Sequence, residues 1–127
     1  MKHLLYLILS ISCLSCSTPR SGSDPEILAW PEVEFARQHL EASISGFEVD
    51  LNLKDFLFEL DTLSLKEQDY RIAPGEKKVK ITGGGARGLM YGGLEAAEQI
   101  GLYGKVSAST GSPFIKKRGI KFNIPLD

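Results

Sequence analysis

A change of hydrophobic period around a run of glycines constrains the fold of this 127-residue chain more than any other feature. Residues 79–82 alternate apolar and polar side chains, which is the period of a β-strand. Residues 83–88 then read Gly-Gly-Gly-Ala-Arg-Gly, and residues 89–100 have the three- and four-residue spacing of a helix that ends at Gly101. The chain must therefore turn from a strand into a helix over a segment with almost no side chains.

The predicted helix carries small residues where it should meet the sheet. Gly92, Gly93, Ala96 and Ala97 would let its backbone lie close on the strands. An interior glycine costs roughly 1 kcal/mol relative to alanine, so close packing must compensate for two of them.

Short alternating segments precede the glycine run. Residues 47–53 and 56–63 each predict a strand, and Pro74-Gly75 between residues 70–72 and 77–82 predicts a hairpin. Residues 105–107 suggest one more short strand. These elements favour an α+β fold, a two-layer sandwich of a mainly antiparallel sheet with helices on one face.

A first helix is predicted over residues 32–44, after Pro31 and before Gly46. Its apolar stripe consists of Val33, Ala36, Leu40 and Ile44.

The glycine run also matches the G-x-G-x-x-G pattern of dinucleotide-binding turns. That function needs a parallel βαβ unit and an acidic residue about twenty positions later, whereas a hairpin precedes this run and residues 104–111 contain no acidic residue. A structural turn is the favoured interpretation, and no cofactor is predicted.

The N-terminus has the pattern of an export signal. Lys2 and His3 precede an apolar run at residues 4–11, too short to span a bilayer. Small residues then lead to Cys16, which resembles the lipidated cysteine of bacterial lipoproteins, with Cys13 as the alternative. A signal peptide at 1–15 and a polar tether at 16–26 are expected, which would place an exported domain on a membrane face.

A plain secretory signal with two incidental cysteines stays open, because neither cysteine has the leucine that usually stands three residues before the modified one. A metal or redox pair is disfavoured, since the chain has no other cysteine.

Residues that could carry chemistry are scattered. Five carboxylates read as solvent-facing, and His39 reads as a surface residue of the first helix; no metal-ligand spacing occurs. Trp30, Tyr70 and Tyr91 could stack on a sugar, although packing between helix and sheet is the commoner use of such aromatics. A net charge of −1 gives no electrostatic basis for binding nucleic acid. The five carboxylates are Glu48, Asp50, Asp55, Glu59 and Asp61.

Taken together, residues 70–72, the run from Val79 to Gly92 and Glu98-Gln99-Ile100-Gly101 resemble a particular accessory domain. It is the N-terminal domain shared by alpha-glucuronidases and bacterial beta-N-acetylhexosaminidases, with a hairpin closing on I-x-G-x-x-x-R-G-x-x-Y-G. The resemblance covers roughly residues 27–127.

The resemblance implies a domain at 27–113 that has no catalytic residue and packs beside a (β/α)8 barrel. Arg118-Gly119 and the apolar residues 120–126 look like the start of that barrel, so residues 114–127 are expected to be its orphan first strand and the rest of the barrel to be missing from the chain. The parent would be a surface glycoside hydrolase whose acidic pair lies in the barrel. The expected partners are the barrel, a carbohydrate substrate bound by the parent, and the membrane through the lipid.

A stand-alone carbohydrate-binding lipoprotein is the alternative function. The apolar segment 120–126 argues against it, because a complete domain rarely ends on an apolar strand. The sugar, the linkage and the glycoside hydrolase family stay open at this stage.

Overall fold

The computed structural model describes residues 23–113, which form helices packed on one four-stranded sheet. The α+β class predicted from the sequence is confirmed. The elements are α1 (Pro25–Leu28), α2 (Pro31–Gly46), a 3-10 turn (Leu53–Asp55), β1 (Phe56–Leu60), β2 (Tyr70–Pro74), β3 (Val79–Gly83), α3 (Ala86–Tyr103) and β4 (Ser109–Gly111).

The sheet is mixed, with strand order β1-β3-β2-β4. The predicted hairpin is present as the antiparallel pair of β2 and β3, with Ile72 opposite Ile81. β1 lies parallel to β3 with Phe58 opposite Ile81, and β4 lies antiparallel to β2. The sheet therefore combines two antiparallel pairings with one parallel pairing.

The two long helices cover one face of this sheet. Alternate residues of the strands, such as Phe58, Ile72 and Ile81, are buried against the helices. The opposite face carries exposed or half-buried side chains, among them the ion pair Lys80–Glu59 at 3.1 Å. α3 lies directly on the strands and α2 packs chiefly against α3, so the core lies between the helices and the sheet.

The predicted stripe of the first helix is found on α2. Val33, Ala36 and Leu40 are fully buried and Ile44 is partly buried against the core. Pro31 occupies the first turn, where no intrahelical partner for its missing N–H is needed.

The strand predicted at residues 47–53 is wrong. Phe47 and Asn52 do have extended backbone angles, but none of the described strands pairs with this segment. Val49 and Leu51 are partly buried against the core. At Asn52 the chain enters a 3-10 turn that a reciprocal capping box with Asp55 closes. The alternation therefore reflects an extended segment with one buried side rather than a strand in a sheet.

Other predicted boundaries move by a few residues. The strand of 56–63 stops at Leu60, and the strand predicted at 105–107 lies at Ser109–Gly111 instead. α3 continues past Gly101 and ends where Gly104 takes a left-handed φ of 65°.

The beginning of the described chain lies along the edge of the sheet. The Phe58 N–H of edge strand β1 donates to Ser23 Oγ at 2.7 Å, and Asp24 caps α1 by accepting from the Glu26 N–H. α1 begins at Pro25, so residues 25–26, at the end of the predicted tether, are helical. The predicted signal peptide, both cysteines and residues 114–127 lie outside the described residues.

Candidate functional site

The glycine turn between β3 and α3 is packed against the connection from β1 to β2. The Gly84 N–H donates to the Asp69 carbonyl at 3.1 Å, and the Gly88 N–H donates to the Glu67 carbonyl at 3.1 Å. A Cβ on Gly84 would collide with the Lys66 carbonyl. The glycines therefore permit a close approach of two backbones, which only residues without a side chain allow.

This packing fills the space in front of α3 that a dinucleotide site would need. A pyrophosphate would be bound by free N–H groups of the first helical turn, but carbonyls of residues 67 and 69 take two N–H groups of the turn. α3 also does not connect two adjacent parallel strands, because β2 lies between β3 and β4. The turn has a structural use here, as the sequence favoured.

A cleft of about 340 Å³ opens where α3 passes the edge strand β4. We call it the tyrosine–glutamate cleft. Its position at the end of the sheet puts aromatic side chains, carboxylates and a hydroxyl around one concave surface. It is lined by Tyr70, Tyr91, Leu94, Glu95, Glu98, Gly111, Ser112 and Pro113.

Two glycines define the position of Tyr70 in this cleft. A Cβ on Gly111 would collide with the Tyr70 ring, and a Cβ on Gly92 would come within 3.3 Å of the Tyr70 Cβ. The ring thus lies between α3 and β4. Burial raises the pKa of the Tyr70 hydroxyl above its ordinary value, and the negative charges of Glu95 and Glu98 raise it further.

A buried amide orients one of the two carboxylates. Gln99 is 8% exposed, and its Nε2 donates to Glu95 Oε1 at 3.0 Å. Its Oε1 accepts from the Ser107 N–H at 2.7 Å. Gln99 therefore links α3 to the segment that precedes β4 and holds one carboxylate oxygen of Glu95. Glu98, one residue earlier on the helix, is exposed.

A second cleft of about 380 Å³ lies at the start of α3 and shares Ser112 and Pro113 with the first. Arg87 and Asp69 line it together with residues 66–68. Asp69 is already engaged, because its Oδ1 accepts from the Ser112 hydroxyl at 2.7 Å and its Oδ2 accepts from the Lys66 N–H. The opposite charges in this second cleft and the hydrogen bonds of Asp69 indicate a structural junction between residues 66–69, α3 and the end of β4.

The carboxylates singled out from the sequence do not converge. Glu48 and Asp50 are exposed, Asp55 closes the capping box, and Glu59 pairs with Lys80 on the open face of the sheet. Asp61 Oδ1 accepts from the Ser64 N–H at 3.0 Å. This bond and a second from the Ser64 side chain lower the pKa of Asp61.

His39 lies on the exposed side of α2, as predicted. Its Nδ1 is 2.9 Å from the Phe35 carbonyl, and its ring centroid is 4.4 Å from that of Phe35. Of the three candidate aromatics, the structure brings Tyr70 and Tyr91 together in the tyrosine–glutamate cleft. Trp30 precedes α2 and is partly buried against the core, away from that cleft.

Sequence reasoning missed Glu95 and Glu98 as partners of the tyrosines. Tyr91, Leu94, Glu95 and Glu98 follow the i, i+3, i+4, i+7 spacing that places residues on one face of a helix. That spacing was available from the sequence. The approach of Tyr70 and residues 111–113 was not, because it depends on where β4 pairs.

Within residues 23–113, no group of three or more His, Cys, Asp or Glu side chains could hold a metal ion. No helix in the same range is both long and apolar enough to cross a membrane. Comparison with known proteins found no matching protein family, curated protein or solved structure.

Proposed function

We propose that the chain is the non-catalytic N-terminal domain of a surface-anchored glycoside hydrolase of the alpha-glucuronidase or beta-N-acetylhexosaminidase kind. The observation that carries this proposal is the path of residues 70–101. A hairpin leads through the glycine turn into a helix that lies on the sheet, and this is the order of elements that the motif resemblance implies.

The glycine-rich motif supports the proposal because the residues that carry the resemblance are also those that pack the turn and α3 against the rest of the domain. Gly84 and Gly88 contact the backbone of residues 66–69, and Gly92 and Gly93 contact the sheet and α2. Arg87 in the same motif lies at the junction next to Ser112 and Pro113, where the chain continues towards residue 114. In this proposal, that junction faces the barrel.

Chemistry on the glycosidic bond belongs to the parent barrel in this proposal. Its acidic pair would hydrolyse the bond, and the chain described here would support the barrel and the rim of its active site. Arg118-Gly119 and residues 120–126 would begin the barrel. These residues lie outside the described part of the chain.

The gene itself provides the first test. Reading it beyond the codon for Asp127 should reveal several hundred further codons with repeating βα patterns. A stop codon at that point would contradict the proposal and favour a stand-alone carbohydrate-binding lipoprotein.

Activity provides the second test. The 127-residue chain should show no turnover of aryl glycosides such as 4-nitrophenyl N-acetyl-glucosaminide, whereas the parent protein should hydrolyse a glycoside. Turnover by the short chain would place catalysis within these residues and contradict the proposal.

Surface anchoring is the second part of the proposal. A thioether-linked diacylglycerol on Cys16 would hold the domain at a membrane face through the polar residues that follow. Expression in a bacterium with radiolabelled palmitate should label the protein, and Cys16→Ser should remove the label while Cys13→Ser keeps it. An unlabelled wild-type protein would instead support a plain secretory signal.

The stand-alone carbohydrate-binding function remains a second candidate because of the tyrosine–glutamate cleft. Two aromatic rings next to two carboxylates are groups that bind saccharides in many proteins, and the described residues that line the cleft all lie between 70 and 113. The gene reading distinguishes this candidate from the accessory domain.

A further inference from the structure

We propose that the tyrosine–glutamate cleft binds one or two sugar units of a saccharide chain. This inference deepens the proposed function, on which it rests for the class of ligand: a domain on a carbohydrate-degrading enzyme would hold part of the polysaccharide away from the catalytic centre. The binding residues would be Tyr91, Glu95 and Glu98, with Tyr70 forming the wall between α3 and β4. The hydroxyl of Ser112 at the edge of the cleft already donates to Asp69.

The size and lining of the cleft suit a sugar ring. Its volume of about 340 Å³ lies at the lower end of the range for small-molecule sites, which is roughly 300–1,000 Å³. The cleft combines apolar surface from the tyrosines and Leu94 with polar surface from two carboxylates and a hydroxyl. A sugar ring has the same two characters, since its C–H groups form apolar patches and its hydroxyls radiate from the rim.

The carboxylates give the hydroxyls strong acceptors. A hydrogen bond from a hydroxyl to a carboxylate is shorter and roughly twice as strong as one between neutral groups. The structure shows no salt bridge to Glu95 or Glu98 among the described residues, so neither charge is neutralised by a cation there. Glu98 is exposed to solvent, while Glu95 has one oxygen bonded to Gln99.

The site is also preorganised, which lowers the entropy lost on binding. Gln99 is buried and holds Glu95 from behind through a bond of 3.0 Å. Gly111 leaves space for the ring of Tyr70, and Gly92 brings α3 close to the same side chain. Three elements thus hold the cleft together before any ligand arrives.

The remaining aromatic surface of the domain is less suited to a sugar. Phe35, Phe47 and Tyr103 are exposed on the helical layer, but the groove between α2 and α3 beside them contains only His39, Ser43 and Glu98 as polar side chains. Aromatic rings and a pair of carboxylates meet in the tyrosine–glutamate cleft alone among the described pockets.

The test is a calorimetric titration of the full chain with hexasaccharides of glucose, xylose, N-acetylglucosamine and glucosamine. We expect saturable binding of at least one neutral hexasaccharide with a Kd between about 10 µM and 1 mM, because a single shallow site loses much of its contact energy to ordering. Free lysine is titrated as a control, because its binding would show that the two carboxylates form a site for simple amines.

Variants locate the site, each with a matched control elsewhere on the helices. Tyr91→Ala should weaken binding at least about tenfold and Glu98→Gln about three- to tenfold, as expected for loss of an aromatic platform and of a charged acceptor. Tyr103→Ala and Glu41→Gln change the same residue types at exposed positions outside the cleft, and they should leave the affinity unchanged. Circular dichroism confirms that each variant is folded.

Three results would overturn the inference. One is the absence of saturable binding by every hexasaccharide up to about 10 mM, which corresponds to less than 3 kcal/mol of binding free energy. Another is binding that Glu98→Gln and Tyr91→Ala leave intact although both proteins are folded. The third is binding of only the glucosamine hexamer together with equal binding of lysine, which would indicate an amine site. If the inference fails in any of these ways, the accessory-domain proposal is unaffected, because that proposal is tested by the gene sequence and by the activity of the parent.

Discussion

Helices α2 and α3 belong to the same layer, yet they contact the rest of the domain in opposite ways. α2 buries branched side chains, and Val33 and Leu40 are fully enclosed. α3 buries glycines and alanines over much of its length, so that its backbone approaches β1, β3 and α2 closely. The packing of α2 therefore depends on bulky side chains, whereas the packing of α3 depends on residues small enough to let its backbone come close to its neighbours.

This difference predicts where the domain tolerates added atoms. A methyl group added at the end of α2 meets open space, because nothing lies within 4 Å of a Cβ on Gly46. A methyl group added at the start of α3 meets backbone, which cannot rotate away as a side chain can. The part of the fold that tolerates added atoms least is therefore the glycine turn and the first half of the helix that follows it.

The strongest test of this comparison is Gly84→Ala. The new Cβ would collide with the Lys66 carbonyl, so the loop and α3 would have to separate, with the loss of the Gly84–Asp69 hydrogen bond. We expect a destabilisation of about 3 kcal/mol or more, measured by urea unfolding. Gly46→Ala is the matched control and should change stability by less than about 1 kcal/mol, in the stabilising direction. Equal effects of the two substitutions would show that the turn does not pack as described.

Contact between the two helices allows a sharper test, in which one methyl group is moved from one helix to the other. A Cβ on Gly93 would lie 2.6 Å from the Cβ of Ala36. Gly93→Ala alone should therefore destabilise the domain by about 1–3 kcal/mol through overpacking. Ala36→Gly alone should cost about 1 kcal/mol through lost helix propensity, together with a small cavity.

In the double variant the methyl group occupies the same contact from the other side, and the loss and gain of helix propensity cancel. We expect the stability of the double variant to return to within about 1 kcal/mol of the wild type, which corresponds to a favourable coupling free energy in a double-mutant cycle. Simple addition of the two single effects would mean that the helices do not meet at these residues.

The comparison also explains which parts of the fold the sequence predicted. Both helices have a clear period, and the hairpin has its Pro-Gly turn, so these elements were predictable from local pattern. The segment 47–53 has an equally clear alternation, but Ser23 and α1 lie along the edge strand β1 and the segment pairs with none of the described strands. Pairing partners are a property of the whole fold, which explains why this prediction failed.

The candidate site was predictable only in part. Tyr70 and Tyr91 could be named as aromatics, and Glu95 and Glu98 share the helix face of Tyr91. Their meeting with Gly111 and Ser112 depends on β4, which pairs with β2 several residues after the position that the pattern suggested. Gln99 could not be recognised as a buried positioning residue, because two of its three partners, Ser107 and Ser109, lie outside α3.

A smaller effect distinguishes the predicted end of α3 from the observed one. Gly101 lies inside the helix with only Phe47 near a possible Cβ, at 3.8 Å, whereas Gly104 has a φ of 65°. Gly101→Ala should therefore stabilise the domain by about 0.5–1 kcal/mol, and Gly104→Ala should destabilise it by about 1 kcal/mol. Thermal unfolding of the two variants measures whether each substitution raises or lowers the stability of the domain. If Gly104→Ala were instead more stable than Gly101→Ala, the result would indicate that the helix ends at Gly101.

The smallest expected effect concerns the face of α3 that lines the tyrosine–glutamate cleft. Burial and the charges of Glu95 and Glu98 raise the pKa of Tyr70 above its ordinary value of 10.0. The folded state therefore favours the neutral hydroxyl, so this contribution to stability is fully present below pH 10 and is lost as the pH rises from there through the pKa of the folded state. Tyrosinate absorbance should accordingly include a late phase, above pH 10, that belongs to Tyr70.

Substitution assigns that late ionisation to the cleft. Tyr70→Phe should remove the late phase and weaken the loss of stability above pH 10, whereas Tyr103→Phe, at an exposed position at the end of the same helix, should leave the late phase in place. Glu98→Gln should move the late phase towards the ordinary value because it removes one of the two negative charges that act on the hydroxyl. If the late phase survives in Tyr70→Phe, Tyr70 does not lie against the glutamates, and the cleft side of α3 is as open as its solvent side.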